Sequence, residues 1–277
     1  MKIIDLLKKA QELTLKSEDK DALFWLLTEM LNMDKSTFYL SSEKLVDDSF
    51  KNRYLNQVSK YLNENIPVQY LVGYTYFYGN KFYVSENTLI PRRETEELVS
   101  YTKELIDKYF SNEKINILDI GTGSGCIGLT LKGLTNSNVT LSDISPKALE
   151  IAEKNMNNLN LEVNIINSNW LDSINDKFDV IVSNPPYIKE TYILEEKVLK
   201  EPLNALFSGT EGIDSYEEIL KSITKNLKSK YIIAFEHGYD QKEQINSLVN
   251  KYLSDIIIIN KKDLSDKDRF TFIIKEV

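Results

Sequence analysis

The segment "LDIGTGSGCIG", residues 118–128, constrains this chain more than any other. An apolar strand-like run, "INILDI", ends in three glycines at alternate positions and passes directly into a helix-forming stretch. Gly121, Gly123 and Gly125 let the backbone turn tightly and approach a ligand that side chains would exclude. Such a loop belongs to a parallel α/β sheet, and its surroundings agree. From about residue 91, "INILDI", "NVTLSDI", "VNIINSNW", "FDVIVSN" and "YIIAFEHG" alternate with helical stretches, one of them starting near Ser215. The alternation predicts a doubly wound, Rossmann-like α/β domain over residues 91–277. The closing "DIIIINKKDLSDKDRFTFIIKEV" adds two strand-like runs around polar residues, an antiparallel pair at one sheet edge.

The amino end reads differently. Ile3, Leu6, Leu7, Ala10 and Leu13 recur at helical spacing, and apolar runs follow at Leu23–Leu31, Leu45–Phe50 and Tyr54–Leu62. They predict a small helical domain over residues 1–70. "YTYFYGNKFYV" then carries two aromatic runs around Gly79-Asn80, a hairpin signal that makes residues 71–90 a linker. The amino-terminal segment mixes charge into its apolar residues and has no small-residue cleavage site, and no apolar run reaches the ~18–20 residues of a membrane helix. With 34 Lys and Arg against 42 Asp and Glu, the net charge of −8 argues against salt-driven binding to long nucleic acid. One cysteine, Cys126, and one histidine, His237, leave neither a disulfide framework nor a His-rich metal cluster. A cytoplasmic, monomeric protein without a metal is expected.

Two ligands fit the glycine loop. Gly123, Gly125 and Gly128 satisfy the G-x-G-x-x-G pattern of nicotinamide dinucleotide sites, and Asp143, about 20 residues on, suits a ribose hydroxyl in either reading. Asp119 favours S-adenosylmethionine, because it can brace the loop and offer negative charge near a cationic amino group, whereas a pyrophosphate would prefer its absence. The bland alternatives are a turn that binds nothing and, for Asp143, a helix N-cap. Cys126 reads as a packing residue, since no histidine lies near it in sequence.

"IVSNPPYI", residues 181–188, leaves a buried-type strand through a polar Asn and two prolines. Methylating a planar amino nitrogen poses a problem that this turn answers. The lone pair is delocalised, so the nitrogen is barely nucleophilic. If the Asn184 side-chain oxygen and the Pro185 carbonyl each accept one N–H, the lone pair is steered at the methyl group, and the prolines stiffen that carbonyl. Tyr187 offers a flat wall for a planar amide or base. The simpler reading is a Pro-Pro turn with an Asn cap.

These motifs, with "PVQYLVG", "FYVSENTLIPRRETEELV", "SDISPKALEIAEKN", "EPLNALFSGTEGIDSY", "FEHGYDQ" and "DLSDKDRF" in this order, resemble the HemK-type glutamine methyltransferases that modify peptide-chain release factors. The resemblance implies an S-adenosylmethionine-dependent methyltransferase domain, a helical domain that helps dock the factor, and methylation of the amide nitrogen of the glutamine in a Gly-Gly-Gln loop. It implies a cofactor site of Asp119, Gly121, Thr122, Gly123, Ser124, Gly125, Asp143, Asn169, Trp170 and Asn184, with Trp170 packed on adenine. Asn184, Pro185, Pro186 and Tyr187 would hold the glutamine. The related ribosomal-protein glutamine methyltransferases share Asn-Pro-Pro-Tyr but usually carry Cys where this chain has Gly121 and lack an acidic run such as "ETEE", so "PRRETEE" points to the release-factor branch. Two departures from the family pattern are Arg93, where many members have Pro, and Asn169, where Asp is common; the second bears on cofactor affinity.

His237 is a structural histidine in this reading, and Arg92 with Glu94 is either a substrate clamp or a surface ion pair. Adenine-N6 methylation of nucleic acid and a noncatalytic cofactor-binding adaptor stand as alternatives to glutamine methylation. A basic face would mark the first, binding without transfer the second.

Overall fold

The apolar spacing at the amino end closes on itself as a helical unit. The computed structural model describes residues 1–111 and 113–276 and divides into two units, residues 1–74 with 194–200 and residues 75–193 with 201–277. In the first, α1 (Ile3–Gln11), α2 (Ser17–Leu31), α3 (Lys35–Ser41), α4 (Asp48–Asn63) and α5 (Val68–Val72) surround Leu6, Leu23, Leu26, Phe38, Tyr54 and Val58. Asp34 and Asp47 cap α3 and α4 by accepting the Thr37 and Phe50 amides, each at 2.7 Å. Leu13 lies beyond the end of α1 and is 63% exposed, and Leu45, 76% exposed, precedes the Asp47 cap, so both fall outside the helices that their spacing suggested. Beside this core the buried carboxylate of Asp19 accepts from Thr14, Tyr61 and Lys197 at 3.0, 2.7 and 2.8 Å.

The second unit begins with a hairpin, β1 (Tyr74–Phe77) and β2 (Asn80–Tyr83). Its turn is Tyr78-Gly79, both at positive φ (50° and 76°), one residue earlier than Gly79-Asn80, because Asn80 already belongs to the second strand. Then follow α6 (Arg93–Phe110), β3 (Ile115–Ile120), α7 (Cys126–Leu134), β4 (Ser137–Asp143), α8 (Pro146–Asn158), β5 (Asn164–Asn167), β6 (Phe178–Ser183), α9 (Asp214–Ser222), β7 (Leu227–Glu236), α10 (Lys242–Tyr252), β8 (Ile257–Lys262) and β9 (Asp268–Lys275). The seven-stranded sheet runs β5-β4-β3-β6-β7-β9-β8, with parallel pairing from β5 through β7 and antiparallel pairing of β9 with both β7 and β8.

Helices cover both faces, so its strands are apolar at consecutive positions rather than at alternate ones. Ile117, Val180, Val182, Ile232 and Phe272 pack on the face shared with α6 and α7, while Leu118, Ile181, Ile233, Phe235 and Ile273 pack on the face shared with α9 and α10. Strand order reverses between β3 and β6. The carboxyl ends of these two strands therefore open a crevice, the place where doubly wound sheets bind ligands.

Candidate active site

Both motifs issue from that crevice, the glycine loop from β3 and Asn-Pro-Pro-Tyr from β6. Ser183 Oγ donates to the Ile120 carbonyl at 2.7 Å and ties the two strand ends together. They share a cleft of about 260 Å³, whose walls include Gly121, Thr122, Gly123, Ser124, Asp143, Asn169, Trp170, Asn184 and Pro186. Thr88 and Arg92 line it from the segment leading into α6, Thr95 from the first turn of α6, and Pro202, Asn204 and Ala205 from the segment before α9. Asp119, Gly125, Pro185 and Tyr187 stand behind this wall rather than in it.

Asp119 is fully buried. Its Oδ2 accepts the Thr122 hydroxyl at 2.6 Å and the Gly128 amide at 2.9 Å, while Oδ1 has no hydrogen-bond partner. Burial pushes its carboxyl up to about 7 against those two donors. Its work is to fix the loop; the exposed charge expected for a cationic ligand is not what it presents. A Cβ on Gly128 would lie 2.3 Å from Leu141 Cδ2 and 3.0 Å from Asp119 Oδ2, so only glycine lets α7 sit this close to the sheet.

Asp143 reaches the loop from β4. One carboxylate oxygen accepts the Gly123 amide and the other the Ser145 amide, each at 2.9 Å. The N-cap of α8 is Ser145, which accepts the Ala148 amide at 3.2 Å, so Asp143 is not the cap. Trp170 holds a positive φ of 46°, a costly conformation for a bulky residue, and packs its ring partly into the core while lining the cleft. Asn169 is exposed and donates to Asp172 at 3.2 Å.

A second shelf of groups supports β6. The Tyr187 carbonyl accepts Gln241 Nε2 at 2.8 Å, and that nitrogen also reaches the Gly212 carbonyl at 3.0 Å, which explains the glutamine of "FEHGYDQ". The Tyr187 ring packs against the core rather than standing in the cleft, and burial raises its phenol. Asn184 Nδ2 donates to Thr95 Oγ1 at 3.3 Å. Arg92 pairs with Glu201 at 2.5 Å, not with Glu94, and Glu201 also accepts the Ile90 amide at 3.0 Å. His237 is wholly buried between the Gly238 carbonyl and Thr271, and burial lowers its pKa; it has the environment of a structural histidine. Burial pushes the Cys126 thiol up to about 12, which leaves it inert as a nucleophile.

Thr95, Asn155, Glu201, Glu236 and Gln241 escape sequence reasoning as site residues. "FEHGYDQ" and "ETEE" held the signal for three of them, since polar residues at a strand end and in a first helical turn next to a ligand loop rarely lack a task.

The residues present fit S-adenosylmethionine. Gly121 and Gly123 line the cleft at positive φ (67° and 54°), and a Cβ on either would meet no protein atom within 4 Å, so a side chain there would take up ligand space. Asp143 gives a carboxylate for a ribose, and Trp170 a flat ring for a base.

A mostly parallel sheet with a glycine loop and an Asn-Pro-Pro-Tyr turn at its switch point is the arrangement of an S-adenosylmethionine-dependent methyltransferase. Residues 97–212 match the family model described as "Methyltransferase small domain", and residues 3–73 match "PrmC N-terminal domain". The release factor glutamine methyltransferase of Bacillus cereus is 34% identical over 281 residues, spanning 98% of this chain and 99% of that one; its namesake of Lactococcus lactis is 41% identical over 236 residues, 83% of this chain and 84% of that one. A crystal structure of a methyltransferase from Pyrococcus furiosus shares the fold at a TM-score of 0.54 and 15% identity, covering 83% of this chain and 100% of that one. The chain belongs to the release factor glutamine methyltransferase family. Among the described residues no helix is long and apolar enough to cross a membrane.

Proposed function

We propose that this protein methylates the side-chain amide nitrogen, N5, of the glutamine in the Gly-Gly-Gln loop of peptide-chain release factors, with S-adenosylmethionine as donor. The observation that carries the reading is the position of Asn184: a carboxamide at the end of a buried strand, in the wall of the cleft that the glycine loop also lines.

When bound, S-adenosylmethionine supplies an electrophilic methyl group on a sulfonium. The protein's task is to present a weak nucleophile to it. Asn184 Oδ1 and the Pro185 carbonyl accept the two N–H bonds of the substrate amide, which turns the nitrogen lone pair toward the methyl group. The prolines and the Gln241 bond to the Tyr187 carbonyl hold this segment rigid, so little reorganisation remains for the reaction. Asp143 and the loop amides position the donor, with Trp170 against its base and Asn169 near the base's amino group.

The test is transfer of labelled methyl from S-adenosylmethionine to purified release factor, to the same factor with the loop glutamine changed to alanine, and to duplex DNA. Label on the intact factor alone is expected. Label on DNA would replace the reading by adenine-N6 methylation, and label on the alanine version would remove the glutamine from it.

A further inference from the structure

Behind the cleft wall, beside Asn184, lies a buried acid that the mechanism above does not use. Ser183 and Phe235 are partners on parallel strands, so Asn184 and Glu236 leave β6 and β7 side by side, and on the other side Glu236 faces Phe270 of β9. Glu236 is 1% exposed, and its Oε2 has no hydrogen-bond partner in the described structure. A carboxylate so buried costs stability where it is not fully paired, and groups of this kind cluster at functional sites. Thr95, from the first turn of α6, is buried beside it and accepts Asn184 Nδ2.

We infer that Glu236 is a positioning residue for methyl transfer, acting on the Asn184 carboxamide directly and through Thr95 to set which of its atoms meets the substrate. The inference rests on the glutamine reading above. An ionised carboxylate has no proton to give, so the Thr95 hydroxyl donates to Glu236 and its lone pair is left for Asn184 Nδ2. Asn184 Oδ1 is then the atom that remains for the substrate, and it can only accept. That is the polarity an N–H of a glutamine amide needs. A protonated or amide side chain at 236 can donate to Thr95 instead, which reverses the relay: the Thr95 proton turns to Asn184 Oδ1 and Nδ2 opposes the substrate, donor against donor.

The relay makes activity depend on the charge of Glu236. Burial raises its pKa to about 7; hydrogen bonding from Thr95 and Asn184 and the Arg269 guanidinium of β9 pull it down, and Glu94 of α6 pushes it up. Tyr187 after β6, Tyr216 of α9 and Cys126 of α7 are further titratable groups that feel its charge, all three with raised pKa values that keep them neutral at that pH, and the adjacent His237 has a lowered pKa that keeps it neutral there as well. Turnover should therefore fall as pH drops through about 7.

The experiment measures kcat and KM for release-factor methylation across pH 5.5–9 in the wild-type protein and in Glu236→Gln, Thr95→Val and Thr95→Ser, with cofactor affinity by calorimetry. Glu236→Gln and Thr95→Val are expected to lower kcat about 10²-fold, with cofactor affinity and KM near wild type. Both should flatten the acid limb, the double variant should be no worse than either single one, and Thr95→Ser should restore turnover. Wild-type kcat and an unchanged acid limb in Glu236→Gln would overturn the relay while leaving the glutamine reading intact. Loss of cofactor affinity in step with kcat would also overturn it, by making Glu236 a structural support. No transfer by the wild-type protein would overturn the glutamine reading itself.

Discussion

The carboxamide of Asn155, on α8, donates to the Ser124 carbonyl at 2.8 Å and so holds the glycine loop from behind. The same side chain accepts the Tyr83 amide at 2.6 Å and donates to the Tyr83 carbonyl at 2.9 Å. One wholly buried residue thus satisfies three backbone groups drawn from the hairpin and the loop. An apolar residue of equal size, Asn155→Leu, leaves all three without partners. Each unpaired buried group costs about 1–3 kcal/mol, and the total should reach at least ~2 kcal/mol after relaxation. Urea unfolding measures that loss, and calorimetry should show weaker cofactor binding alongside it. A variant as stable as the parent would show that water replaces the carboxamide.

Asp119 makes stability fall with pH. Its folded-state value of about 7 lies above the 3.8 of the free side chain, so the folded protein holds the proton more tightly. The sign is fixed by that: this stabilisation is full below about 3.8 and is lost as pH rises through about 7, on the order of 2–4 kcal/mol. Asp119→Asn keeps an oxygen for Thr122 and Gly128 but has no charge to bury. Its urea midpoint should gain on the wild type between pH 5 and pH 9. Parallel midpoints over that range would mean that Asp119 ionises without cost.

Cofactor affinity separates from turnover at Asp143. Its two oxygens brace Gly123 and Ser145, and the ribose assignment gives it a ligand contact as well. Asp143→Ala should weaken S-adenosylmethionine binding by about 10-fold or more, the worth of a hydrogen bond to a charged group. At saturating cofactor, kcat should stay within a few-fold of wild type. Unchanged affinity by calorimetry would remove the ribose role and leave Asp143 as a loop brace.

The parts legible in the sequence were those carried by local pattern. Alternating apolar runs gave β3 through β7, and "FDVIVSN" ended as a strand at Ser183, with Asn184 in the cleft wall. The glycine spacing located the loop because tight turning and close packing leave no other residue type possible at Gly128. What local pattern does not encode is which distant group a polar side chain meets. Arg92 reads as the partner of Glu94, two residues away, but finds Glu201, which is brought to it by the segment before α9. Asp119 reads as a charge offered to a ligand, yet α7 closes over it through Gly128. Asn155 gives no local signal at all, and "FEHGYDQ" marks Glu236 only as a polar residue at a strand end; their roles arise only when β7 lies beside β6 and α8 beside the hairpin.

Asn184 offers the sharpest separation of binding from chemistry. It lines the cleft from the β6 end, whereas the loop, Asp143 and Trp170 line it from the β3 and β4 side and the segment after β5, so removing its carboxamide leaves those residues in place to hold the cofactor. Asn184→Ala should lower kcat by roughly 10² or more, as does loss of one hydrogen bond made to the transition state, while cofactor affinity stays near wild type. Asn184→Asp tests the polarity separately. It keeps an acceptor for the substrate but sets a second carboxylate beside Glu236, and two such groups in one buried site do not both ionise near neutrality. The proton they share lets either acid donate to Thr95, so this variant should also lose turnover, most of all at low pH, and recover part of it as pH rises above 8. Near-normal turnover in Asn184→Ala, read by labelled methyl transfer to the release factor, would mean that the backbone carbonyl of Pro185 steers the amide alone.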